Sequence, residues 1–217
     1  MLFNLFSKKD TMVVKYDILV PPFDRTPEQM TVAQTKKYFE WYISQIPSRV
    51  DYVSVKCEHS LRLSKGKINL SPESLILVWK WFISIAEIEE ISEERLNEYR
   101  KSMSGMPESF IEHMVGNEKT QFSLITSYII RDIGMYLGQV FINNHNNLKW
   151  EFYTKPKSDF FVNRPVIKGF EDKSFEPPFK PSFEPIHMVT VQAANIFDKT
   201  ESKYDLFKLY SKWKTWT

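Results

Sequence analysis

Residues 120–153 read TQFSLITSYIIRDIGMYLGQVFINNHNNLKWEFY, from Thr120 to Tyr153, and they carry the strongest pattern in the chain. Phe122, Ile125, Ile129, Ile133, Tyr136 and Val140 recur at spacings of three and four. That period predicts one long helix with an apolar stripe. Ser123, Ser127, Gly134 and Gly138 form a second row of small residues. A glycine inside a helix costs about 1 kcal/mol relative to alanine, so two of them one turn apart call for a cause. Either a neighbouring helix or ring approaches closely there, or the row floors a groove for a ligand or partner. Arg131 and Asp132 interrupt the apolar run. Asp132 sits on the flank of the stripe, where a half-buried carboxylate needs hydrogen-bond partners. A salt bridge or helix tether is expected. The helix should stop at Asn143 and Asn144, since asparagine tolerates left-handed backbone. Leu148, Trp150 and Phe152 then alternate with Lys149, Glu151 and Tyr153, the period of a half-buried strand.

Upstream, Val13 to Val20 suits an early strand ended by Pro21 and Pro22. Thr26-Pro27-Glu28-Gln29 has cap, proline and capping-box partner in order, so a helix is expected from there to about Gln45, broken or restarted at Pro47. Arg49 to Lys56 is compatible with helix or strand. Ser71-Pro72-Glu73 and Ser92-Glu93-Glu94 begin two further helices. Gly105-Met106-Pro107 is a break, and Glu108 to Val115 forms a short helix leading into the central one. Downstream, Phe160 to Val162 and Val166 to Ile167 read as short strands pairing near Trp150. Ile186 to Phe197 and Tyr204 to Trp213 read as closing helices.

The segment Glu171 to Pro185 holds four prolines and three phenylalanines, which rules out a regular element. It belongs on the surface. Phe175, Phe179 and Phe183 are spaced by four. In an extended chain that spacing points all three rings one way, which predicts a strap with its rings docked. The rival is an arm presenting the rings to a partner.

The fold class expected is α+β: a mainly helical N-terminal part with a long central helix, then a small antiparallel sheet and closing C-terminal helices, in a single domain over 1–217. Residues 1–12 are expected to be loosely ordered. With 42% hydrophobic and 15% aromatic residues, the chain has enough bulk for a core of packed rings. A net charge of +2 gives no global pull toward nucleic acid or an anionic membrane. The single cysteine, Cys57, excludes an internal disulfide and suits a reducing compartment, so a cytoplasmic location is expected. No apolar run has membrane-span length, and MLFNLFSKKD has its apolar and basic parts in the wrong order for a secretory signal.

Catalytic patterns are missing. His59, His113, His145 and His187 form no spaced metal-ligating pair, and Cys57-Glu58-His59 has no second cluster to complete a site. Six scattered glycines make no phosphate-cradling loop, and no cofactor is expected. Glu87, Glu89, Glu90, Glu93 and Glu94 read as a solvated link between helices, or as a surface for a basic partner. Lys203, Lys208, Lys212 and Lys214 alternate with Tyr204, Tyr210, Trp213 and Trp216, a mixture that can bind single strands. The helical spacing of Leu206, Leu209, Tyr210 and Trp213 favours a docked amphipathic helix instead.

YFEWYISQIPSRVDYV (Tyr38 to Val53), RDIGMYLGQVFINN (Arg131 to Asn144), the Leu148-Lys149-Trp150 strand and FVNRPVIKGF (Phe161 to Phe170) together resemble a group of uncharacterised proteins from low-GC bacteria, a domain of unknown function. The resemblance implies no activity and no catalytic residues. Small proteins of this kind are sometimes accessory or immunity-type partners of other proteins. The function expected is therefore non-enzymatic binding, with another protein as partner. The alternative is an enzyme of unrecognised class with Arg131, Asp132 and Trp150 lining a pocket beside the central helix. Candidate binding residues are Arg131, Asp132, Gly134, Gly138, Trp150, Phe175, Phe179 and Phe183.

Overall fold

The structure, a computed structural model, describes residues 16–23, 25–117 and 119–217. The expected early strand lies partly outside them. Its described part, 16–20, has no regular structure and is fastened to the helices by side chains.

Helix α1 spans Val32–Ser60. It begins five residues later than the sequence suggests. Thr26-Pro27 opens only a short 3-10 turn, Pro27–Gln29, and Thr26 makes no cap. The amide of Asn163 donates to the carbonyls of Pro27 (2.8 Å) and Met30 (3.4 Å). A distant loop thus claims carbonyls that a helix would have used. Thr31 is the cap, and it exchanges both capping-box bonds with Gln34.

Pro47 does not break α1, contrary to expectation. Proline inside a helix costs about 3 kcal/mol. Pro47 is exposed, however, so the missing bond lies on the solvent side. The buried face passes straight through it: Tyr42, Ile46, Arg49, Val53 and Cys57. Burial of that face outweighs the proline and also settles Arg49 to Lys56 as helix, despite its valines.

Helix α2 spans Ser74–Ile85 and buries Leu75, Val78, Trp79, Trp81 and Phe82. A short strand β1, Ile88–Glu90, follows. Helices α3, Glu93–Ser102, and α4, Glu108–Asn117, come next, with Ser92 capping α3 through its bond from the Arg95 amide. Strand β2, Thr120–Phe122, then pairs antiparallel with β1, Ile88 opposite Phe122. This ribbon corrects two expectations. Phe122 belongs to a strand rather than to the central helix, and the acidic run is part strand rather than a plain link.

Ser123 caps the central helix α5, Leu124–Asn144, which ends at the expected asparagines. From Ile129 to Phe141 every residue but Gln139 is buried. A helix apolar all round belongs in the middle of a core. Accordingly α5 packs against α1 and α2 and against α6, Pro185–Ala193. Strands β3, Lys149–Glu151, and β4, Val166–Lys168, pair antiparallel with Trp150 opposite Ile167. Residues 160–162 are a turn and not the expected strand. The Asp159 carboxylate accepts from the Phe161 amide (2.7 Å) and the Tyr153 hydroxyl (2.6 Å), which closes the turn locally.

Helix α7, Asp205–Trp213, docks by Leu206, Tyr210 and Trp213 with its lysines outward. Phe141 on α5 meets Phe183 at 5.0 Å and Tyr210 at 4.7 Å, and Trp213 meets Phe183 at 4.7 Å. These ring pairs tie the last third of the chain to α5. No helix of the described residues is long and apolar enough to cross a membrane.

Candidate functional site

The Arg131-Asp132 pair breaks the apolar run of α5, and burial of α5 carries both inward. Asp132 is fully buried rather than half-buried. Its Oδ2 accepts from the Tyr16 hydroxyl (2.6 Å), from Arg49 Nε (3.1 Å) and from Arg49 Nη2. Arg49 Nη2 also donates to the Asp17 carbonyl (2.8 Å), and the guanidinium lies over the Tyr52 ring at 4.4 Å. Burial and the Asp132 charge push the Tyr16 phenol far above its ordinary range. Arg131 turns the other way. Its Nη2 donates to the Leu19 carbonyl, and its Nε stands 3.8 Å from Asp132 Oδ1, charge-paired without a direct hydrogen bond. The two side chains together clamp 16–19 onto α1 and α5. This is a tether whose central Asp132 carboxylate has no face toward solvent.

The small-residue row is occupied. A Cβ at Gly138 would stand 2.3 Å from Trp150 Cζ2, and one at Gly134 would stand 2.9 Å from the Ile186 Cα. The β3 indole and the start of α6 therefore lie directly on the α5 backbone. Tyr42 from α1 packs edge-on to Trp150 at 5.5 Å. So Arg131, Asp132, Gly134, Gly138 and Trp150 are brought together, but around packed side chains instead of an open groove.

Glu184 lies at the edge of this packing and is almost fully buried. It caps α6 by accepting from the His187 amide. Burial pushes its carboxyl up to about 7, against the pull of the His187 amide and the Arg164 charge. The sign follows from linkage. The folded state holds this proton between the ordinary carboxylate range and pH 7, while the unfolded chain releases it. Stability therefore falls as pH rises through that window, by up to about 3 kcal/mol. Glu184→Gln keeps the capping oxygen and removes the titration. Urea midpoints of the variant between pH 5 and 8 should lose this downward slope, and an unchanged slope would assign it to another group.

Phe175, Phe179 and Phe183 do not share one fate. Phe183 is fully buried and exchanges backbone bonds with Ile167 at 2.7 and 3.0 Å. Phe175 and Phe179 are each 57% exposed and meet each other edge-on, centroids 6.1 Å apart. The strap expectation assumed an extended chain. Instead the backbone of Asp172 and Phe179 pairs, and Ser174 bonds back to the Asp172 carboxylate, so 172–179 folds into a loop with two rings at its outer side. Beside it lies a polar cleft of about 410 Å³, lined by Asn147, Gly169, Glu171, Asp172, Lys173, Ser174 and the C-terminal Thr215, Trp216 and Thr217. It offers hydrogen bonds to a ligand but no paired nucleophile and base.

A third feature lies outside the candidate residues that the sequence singles out. Helices α3 and α4 pack on each other and stand away from the core on the β1–β2 ribbon. Helix α3 buries no residue. Between the two helices runs a groove of about 300 Å³ lined by Tyr99, Ser102, Met103, Met114 and Val115. Beside it Met106 (52%), Phe110 (45%) and Met114 (40%) are exposed. Two signals for this arm were present. Three of the eight methionines fall within residues 103–114, and the surrounding helices are rich in glutamate.

Cys57 is buried, and burial raises its thiol to about 12, so it is not a nucleophile at neutral pH. Among the described residues no group of three or more His, Cys, Asp or Glu could hold a metal ion. No protein-family model, curated protein or solved structure matches the chain, and its own geometry is what bears on function.

Proposed function

We propose that this chain is a non-enzymatic binding protein that engages another protein through the α3–α4 arm, as an accessory or immunity-type partner does. The observation carrying this reading is a helical hairpin that buries only Val115 of its apolar residues, yet keeps Met106, Phe110 and Met114 in solvent. Exposed apolar residues that cluster instead of scattering mark interaction sites. The Arg131–Asp132 region supports binding less well, because its groups are bonded to each other and closed off.

Residues 91–119 can be replaced by a tight turn joining Glu90 to Thr120, which face each other in the ribbon. The body should keep its fold, with a melting temperature lowered by a few degrees at most, since few core contacts are lost. In native cells, a photo-crosslinking residue at position 110 should capture one discrete protein, and the same residue at position 175 should not. Capture at position 175 instead would move the site to the 172–179 loop and overturn this reading.

A further inference from the structure

The arm differs in charge from the rest of the molecule. Residues 87–122 contain nine glutamates against four basic side chains, a net of −5. The remaining 181 residues carry 25 basic and 18 acidic side chains, a net of +7. Two of the four cations are already engaged within the arm: Arg95 with Glu98 at 3.1 Å, and Arg100 between Glu112 at 3.2 Å and Glu93 at 3.8 Å. A second cleft, which shares Val115 with the apolar groove between α3 and α4, is lined by Glu90, Glu93 and Glu112 together with Arg100 and Lys119.

We infer that the α3–α4 groove takes a basic amphipathic helix of a partner protein, an inference that rests on the binding role proposed above. Three features select that occupant. The groove lies between two helices and is floored by Tyr99, Met103 and Val115, the shape that accepts one apolar helix face. Methionine side chains are unbranched and polarisable, so they re-form around varied apolar residues. The arm's surplus of glutamate, part of it in the adjoining cleft, attracts cations to this side of the molecule and speeds their approach. The same charge disfavours a second arm of this chain as occupant, because it would set −5 against −5.

The test uses the full chain with methyl-labelled methionine and an 18-residue peptide of leucine and lysine in helical register. The expected result is saturable shifts at Met103, Met106 and Met114, with Met30, Met135 and Met188 unmoved. Phe110→Glu, at an exposed position, should leave the melting temperature unchanged and weaken the peptide at least tenfold. Raising the salt concentration should weaken it as well. A scrambled peptide of the same composition and a leucine–glutamate peptide should not bind. Equal binding of either control, or equal binding by Phe110→Glu, would overturn the inference. Shifts that grow with protein concentration alone would also overturn it, by making a second copy the occupant. If the arm-less variant loses its crosslinked partner while the lysine peptide fails to bind, the binding role stands and only the basic-helix occupant falls.

Discussion

Asp132→Ala should unfold this protein at a far lower urea concentration than the parent, with a loss of about 3–5 kcal/mol. The loss comes from what the substitution leaves behind. Arg49 is as buried as the apolar residues around it, and Asp132 provides two of its hydrogen bonds and its only buried counter-charge among the described residues. Removing the carboxylate strands a guanidinium in the core. Only the exposed Asp17 carboxylate, 3.6 Å away, remains to face it. Tyr16 loses its acceptor at the same time, so the 16–19 segment is released from α5. Asp132→Asn keeps the shape and should cost less, about 1–3 kcal/mol. The double variant Arg49→Met with Asp132→Leu should recover much of the loss, because replacing both charges removes the stranded ion. An Asp132→Ala midpoint equal to the parent's would show that the tether does not hold the fold. Full stability with a lost cellular phenotype would give Asp132 a direct role in function.

The second large effect is expected at Gly138. Gly138→Leu should cost more than about 3 kcal/mol, beyond the usual range for overpacking. For a chain of this size that corresponds to a fall in melting temperature of roughly 6–12 °C. A Cβ alone would meet Trp150 Cζ2 at 2.3 Å and Cη2 at 2.4 Å, distances at which the ring must move. The ring has little freedom to do so: Tyr42 packs against it, and its backbone belongs to β3. The gain in helix propensity on leaving glycine, about 1 kcal/mol, does not offset this. Gly138→Ala combined with Trp150→Leu should be more stable than the two single changes add up to, since the smaller side chain vacates the space. Additive losses would mean that ring and helix are not in contact. An unchanged melting temperature in Gly138→Leu would mean that this face is open, and the groove reading would return.

Some of this molecule follows from neighbours a few residues apart, and those features were legible in the sequence. Ser92 caps α3, the asparagines end α5, and the alternation around Trp150 makes β3. Each depends on a side chain reaching its own backbone within a turn or on a period of 3.6 or 2, so the linear order suffices. The α+β class, the long central helix and the closing amphipathic helix belong to this group. The pairing of Gly134 and Gly138 with a close neighbour was half legible. The spacing announced a close approach, but not that Ile186 and the Trp150 ring would make it.

Other features needed the whole fold. Arg49 meets Asp132 across 83 residues, and Tyr16 meets it across 116. No local pattern encodes such a partner, because it is chosen by which helix faces pack. The passage of α1 through Pro47 was decided in the same way, by burial on the far side of the helix. The β1–β2 ribbon joins three-residue strands too short to show a period, and the outward rings of Phe175 and Phe179 follow from a loop closed by backbone bonds at its base. The arm was least visible of all. The order of residues gives two helices there, and only tertiary packing, by setting them against each other, left Met106, Phe110 and Met114 exposed.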